Sequence, residues 1–388
     1  MKKTILLTAI AVWFVASCSQ EATFRITVDN SGDYDRTDEV VEIPLNVLQG
    51  KVLPENGQTF VVKNSDGEIV VSQLTYDGKL IFQAGVEAGK TAVYTVSAGE
   101  PPMFHPRTYG RFVTERKDDF AWENDRVAFR IYGPALIAVD CPSNGLDLWY
   151  KRTGDLIIDK WYRDDIAGIR SYHEDHGEGL DDYKVGRTLG GGMMAPYVGE
   201  KLRLNENFAK QELLENGPLR TTFILMYKDI EVDGKLFAES RTFSLDAGSQ
   251  LTKVTQSYGT DEAIPVAAGI VTRKGEDAIL KSKTKHGTAT LIYAEPASKT
   301  VGKVYVGMVF PGGLNGTAID SCTITHAITG KEESHSHLLG VTTYQPGAPI
   351  TYYTGFGWSK YGFPSVEDFE TYIGRFAENL DNPLIVKY

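Results

Sequence analysis

From Thr23 onward, apolar and polar residues alternate along the chain in short runs with a period of two. The segments 23–28, 40–45, 59–62, 69–74, 79–83 and 91–96 each turn every second side chain to one face, which is the pattern of a half-buried strand. Between them stand turn formers: Asn30-Ser31-Gly32-Asp33, Glu55-Asn56-Gly57, Asn64-Ser65-Asp66-Gly67 and Asp77-Gly78. Asx-Gly pairs adopt the positive φ that tight hairpins need. This spacing predicts a first β-sandwich over 22–98. Pro101-Pro102 marks its end, because paired prolines cannot continue a ladder.

The longer remainder, 99–388, is also strand-rich. Over 126–131, Val127, Phe129 and Ile131 share one face and Arg130 points the other way. The segments 219–227 and 236–245 read as a long hairpin closed by Val232-Asp233-Gly234-Lys235, with 251–258 as the next strand. Further strands are expected at 264–272, 288–294, 302–309, 319–327, 335–343 and 350–356. Only two helices are predicted, at 205–214 and 366–380. The second is introduced by Ser365, with Asp368 at the capping-box position. So many strands exceed an immunoglobulin-like sandwich. The fold class is all-β: a small N-terminal β-sandwich (22–98) followed by a large two-sheet supersandwich (99–388).

One stretch, 159–197, breaks the alternation. It holds His173 and His176, the acids Glu174, Asp175, Glu178, Asp181 and Asp182, and then Tyr183, Lys184 and Arg187, all set among glycines. Ordinary loops gather Ser, Asn and Pro, whereas this one gathers acids, bases and proton donors. Three chemistries fit. In β-elimination on a uronic acid, His173 or His176 abstracts a ring proton, Tyr183 protonates the leaving oxygen, and Arg187 or Lys184 holds the carboxylate. In glycoside hydrolysis, or a sugar epimerisation, Glu178 and Asp181 serve as the acid/base pair. In a ligand or metal site without chemistry, His173, His176 and their acidic neighbours Asp175, Glu178 and Asp181 bind a cation, calcium being a candidate for the acids. A solvated charged loop is the bland reading beside these. Outside the stretch, His335 and His337 share a strand face that lines a cleft or faces solvent, and Tyr353 and Trp358 offer aromatic walls for a sugar ring or belong to the core.

Composition narrows the partners. A net charge of −11 leaves no basic stripe for nucleic acid. At the start, Lys2-Lys3, an apolar run and Val15-Ala16-Ser17-Cys18 read as an export signal ending in a lipobox. Acylation of Cys18 would anchor the protein to a periplasmic or outer-membrane surface by its lipid alone. In that oxidising compartment Cys141 and Cys322 are free to pair or to stay thiols.

The runs Phe120-Ala121-Trp122-Glu123-Asn124-Asp125-Arg126 and Tyr172-His173-Glu174-Asp175-His176-Gly177-Glu178-Gly179-Leu180-Asp181, with Asn216-Gly217-Pro218 and Gly355 to Lys360, resemble a family of Bacteroidetes-type lipoproteins catalogued as domain of unknown function 4861. The resemblance covers nearly all of the chain beyond Cys18. It implies a galactose-mutarotase-like supersandwich, carbohydrate processing, and a uronate-containing, pectin-like oligosaccharide as partner. It carries no residue roles, so those named above rest on chemistry.

Overall fold

The computed structural model describes residues 23–326 and 328–388; the export signal and Cys18 lie outside them. The first sandwich is built as the alternation predicts. A five-stranded sheet runs in the order Ile385–Lys387, Phe24–Asp29, Thr91–Gly99, Thr59–Lys63, Ile69–Val70. It covers a three-stranded sheet of Arg36–Pro44, Lys79–Val86 and Ser72–Leu74. Between them lie Ile26, Val28, Val41, Ile43, Phe82 and Val96, with Leu384 and Val386 packed alongside. The last strand of the chain thus closes the sheet that the first strand begins.

The larger body is a second, bigger sandwich. Its eight-stranded sheet runs Lys210–Asn216, Arg220–Met226, Glu239–Asp246, Leu251–Tyr258, Ile350–Trp358, Val304–Phe310, Ala289–Ala294, Ala278–Lys283. Opposite it lie two five-stranded sheets. One runs Gly179–Asp181, Asp147–Lys151, Ala128–Ile131, Asp119–Asn124, Thr108–Val113, and the other is centred on Ile264–Val271 and Glu332–Tyr344. A parallel bridge between Leu146 and Gly190 joins them. One continuous core, including Trp122, Phe129, Leu148, Phe223, Phe243, Met308 and Phe356, fills the space between the layers. The architecture is all-β, and the 219–227/236–245 hairpin forms through Arg220–Met226 and Glu239–Asp246.

Three local departures have physical causes. Segment 205–214 is not a helix. Lys210–Asn216 is the edge strand of the eight-stranded sheet, its helix-forming Gln, Glu and Leu overridden by a ladder with Arg220–Met226. Asp119–Asn124 and Asp147–Lys151 are buried on both faces, so they lack the alternation that reveals a strand. Their outer face is covered by a helix not foreseen in the sequence, Ile158–Ile166, which packs Ile158, Trp161 and Tyr162 onto Ala121, Ala128 and Trp149. The C-terminal helix Val366–Asp381 forms with its capping box complete: Asp368 N–H donates to Ser365 Oγ, and the Ser365 amide donates to the Asp368 carboxylate. Cys141 and Cys322 are both free thiols. Among the described residues no helix is long and apolar enough to cross a membrane.

Candidate functional site

Arg130 projects away from the main core, as its position opposite Val127, Phe129 and Ile131 requires, into the layer between its sheet and the Ile158–Ile166 helix. There it is fully enclosed. Its Nη2 lies 2.5 Å from Asp147 Oδ2 and 2.8 Å from Asp181 Oδ2, and it also donates to the Tyr132 hydroxyl at 3.0 Å. The guanidinium sits 4.5 Å from the Tyr132 ring and 5.1 Å from Trp149. A third carboxylate, Asp119, is buried close by and accepts the Gly133 amide at 3.0 Å. Three buried acids thus gather around one fully enclosed cation, and burial penalises their charged forms. Burial and the neighbouring Asp181 push Asp147 up to about 7, against the pull of Arg130. Burial likewise lifts Asp119 to about 6. Burial also holds the Tyr132 phenol well above its ordinary range, so it stays protonated.

Four buried polar atoms in this layer have no partner: Arg116 Nε, Asp119 Oδ2, Trp149 Nε1 and Tyr162 Oη. Folded proteins rarely leave such groups unmet. The backbone beside the layer is strained as well. Lys117 and Asp118, the central residues of the turn from Arg116 to Asp119, have φ of 53° and 59°. Side chains other than glycine avoid this left-handed region. Gly133 is required against that turn, because a Cβ there would stand 1.7 Å from the Asp118 carbonyl.

Tyr172, His173 and Asp181, from the 171–187 stretch, pack against this layer. His173 is the residue the stretch presents best. Its Nδ1 lies 2.8 Å from the Asp181 carbonyl oxygen and 3.7 Å from the Asp181 carboxylate. A carbonyl only accepts, so Nδ1 carries the proton and Nε2 keeps its lone pair. With the side chain 51% exposed, that lone pair is open to a ligand. The His173 and Tyr172 rings are 4.5 Å apart, and the Arg116 guanidinium lies 5.9 Å from the Tyr172 ring. Arg116 has no carboxylate within ion-pair distance among the described residues. His176 donates from Nε2 to the Ser171 carbonyl and lines a small cleft with Lys160, Trp161, Arg170, Glu174 and Glu178.

Not every residue singled out in the sequence joins this site. Asp175, Glu178 and Asp181 do not converge on one point: they face Arg152, Lys160 and Arg130 respectively, so they form no oxygen cage for calcium. Tyr183 is buried beneath Arg273 with its hydroxyl unpartnered. Arg187 donates to the carbonyls of Asn205 and Leu204 at 2.5 and 2.8 Å, a backbone clasp rather than a free carboxylate anchor. The Lys184 carbonyl accepts from Arg273. Trp358 is core, its indole donating to the Val301 carbonyl at 2.7 Å, and Tyr353 packs edge-on to Phe376 under the C-terminal helix. His335 rests against Gly186, and His337 is fully buried under Leu189. Of the residues the structure gathers instead, Arg130 carried a legible signal. Arg116, Tyr132, Asp119 and Asp147 carried none, since only the pairing of distant strands unites them.

The comparisons agree with this architecture. A structure of a protein in the glycosyl hydrolase family 38 from Enterococcus faecalis aligns with 95% of the chain at a TM-score of 0.51 and 12% identity. The chain spans about half of that structure, 48% of its length, and the likeness is one of fold. Uncharacterized protein P7 of Formosa agariphila is 31% identical over 408 residues, covering 100% of this chain and 99% of its own. The family profile described as "Domain of unknown function (DUF4861)" matches residues 28–386, and the chain belongs to that family.

Proposed function

We propose that the protein acts on carbohydrate, and that it eliminates across a uronic-acid ring held at the mouth of the Arg130 layer. His173 carries this reading: its tautomer is set by the Asp181 carbonyl, its Nε2 lone pair faces outward, and the Asp181 carboxylate stands ready to stabilise the imidazolium that forms. His173 takes the proton α to the substrate carboxylate. Arg116 neutralises the enolate-like charge, as Arg187 does not. The enolate's electrons then form a double bond between the α and β carbons as the glycosidic oxygen on the β carbon departs with the C–O electron pair and takes a proton from Tyr132, whose phenolate Arg130 would stabilise.

Hydrolysis is less well supported. Asp147 and Asp181 are enclosed and bound to Arg130, so this pair flanks no open space, and Glu178, which lines the cleft beside His176, is bound to Lys160. The acylated Cys18 belongs to the same proposal: an anchored enzyme working on glycans outside the cytoplasm.

The test is to incubate the protein with uronate-containing oligosaccharides and follow the ultraviolet absorbance of the conjugated double bond. The parent should generate it, and His173→Ala and Arg116→Ala should each lower the rate by about 10²–10⁴-fold. New reducing ends without absorbance would make the protein a hydrolase. Glycans retained but unchanged would make it a capture protein. Either result ends the elimination reading.

A further inference from the structure

The long hairpin of Gly316–Thr325 and Glu332–Tyr344 carries a donor set unrelated to the Arg130 layer. Its register pairs Asp320 with His337 and Cys322 with His335. Residues two apart on a strand share a face, as do cross-strand partners, so all four side chains lie on one face. One ligand atom from each of Asp320, Cys322 and His337 falls within 4.8 Å of the other two. His337 is fully buried, and its Nδ1 has no hydrogen-bond partner. The Asp320 carboxylate lies 3.5 Å from that atom, close enough to share an ion and too far for a hydrogen bond of good geometry.

We propose that Asp320, Cys322 and His337 form a binding site for a divalent transition metal of the zinc class, with His335 as a fourth donor on the same face. One sulfur, one imidazole nitrogen and one carboxylate oxygen suit zinc and exclude calcium and magnesium, which require oxygen cages. Tetrahedral zinc with ligand bonds of about 2.0–2.3 Å needs these atoms drawn together by roughly 1 Å, a movement within the reach of side-chain rotation. Binding releases the Cys322 proton, since the thiolate is the ligand. Metal on Nδ1 also moves the imidazole proton to Nε2. The Leu189 amide contact with Nε2, long at 3.3 Å, is the interaction given up. The ion would fasten the hairpin over Gly186 and Leu189, the end of the same stretch that packs against the Arg130 layer.

Cobalt(II) is the direct probe. The metal-stripped full chain, titrated with cobalt, should take up one equivalent and develop a thiolate-to-cobalt charge-transfer band with the visible spectrum of a four-coordinate ion. Zinc should displace it and raise the melting temperature. Cys322→Ser, at a half-buried position that tolerates the change, should abolish the charge-transfer band and weaken zinc binding by at least about tenfold. Cys141→Ser, which alters the separate Asp140–Cys141–His326 group, should leave both unchanged. No stoichiometric uptake by the parent would overturn the proposal. So would a band that survives Cys322→Ser, or one lost in Cys141→Ser instead.

Discussion

Asp147 shows at the scale of one residue how the layer beneath His173 stores charge. It is buried, shares Arg130 with Asp181, and is pushed up to about 7 by burial and by that second carboxylate. In the unfolded chain an aspartate titrates near 3.9. Between those values the native state keeps a proton that the unfolded chain releases, so this group's contribution to stability falls as pH rises and is lost above about 7. Asp119, lifted by burial to about 6, acts in the same sense. His337, lowered by burial to about 4, acts in the opposite sense: the unfolded chain gains a proton that the native ring refuses, so stability climbs between about 4 and 6.5. The opposing slopes mask each other in the parent, and a variant separates them. Asp147→Asn resembles the protonated acid and does not titrate. Its stability relative to the parent should therefore improve steadily as pH is raised from about 4 to 7, read from chemical denaturation at each pH. An offset that stayed constant with pH would mean that Asp147 is ionised throughout.

At the scale of elements, the turn between Thr108–Val113 and Asp119–Asn124 is the clearest case of a local rule broken beside a site. Its central residues, Lys117 and Asp118, sit where Asn-Gly is the favoured pair. Replacing them by Asn-Gly should stabilise the protein by about 1 kcal/mol, measurable as a rise in melting temperature, because each left-handed L-residue costs roughly 1–2 kcal/mol and glycine's chain entropy returns part of that. A lower melting temperature would show that Lys117 and Asp118 side chains hold more than the turn. The same turn explains what could be read in advance. Hairpins closed by Asn64-Ser65-Asp66-Gly67, Asp77-Gly78 or Asp233-Gly234 announce themselves, since glycine at positive φ is the signal. Lys-Asp announces nothing. Strands with one wet face were legible by alternation and Val304–Phe310, covered on both sides, by its unbroken apolar run, whereas Asp119–Asn124 and Asp147–Lys151, covered too but carrying buried charges, showed neither pattern. The same covering hid the site. The 171–187 stretch was visible by composition and contains His173, the base proposed above, but the acids and cations beneath it come from strands whose proximity no local pattern encodes. Tyr183 and Arg187 have the right chemistry at the wrong depth.

At the scale of the whole molecule, the question is whether the two sandwiches behave as one. Their junction is built tightly. Ile81 from the first sandwich packs with Leu219 and Ala247 from the second. Gln73 accepts the amides of Leu219 and Arg220 at 3.0 and 2.8 Å and donates to the Arg220 carbonyl, imitating a strand partner. Gly217 is needed there, since a Cβ would lie 2.2 Å from the Gln73 side chain. Arg220 also bridges Glu42 of the first sandwich and Asp246 of the second. The final strand, Ile385–Lys387, ties the far end of the chain to Phe24–Asp29, so the first sandwich is not closed without the end of the chain that follows the second. These contacts predict a single cooperative unfolding transition for the parent. Gln73→Ala leaves two amides of the junction without their acceptor, at a cost of about 1–3 kcal/mol. The cost falls on the coupling rather than on either core. Calorimetry of this variant should therefore show the first sandwich melting ahead of the second, while a parent that already melts in two steps would mean the junction transmits no stability between them.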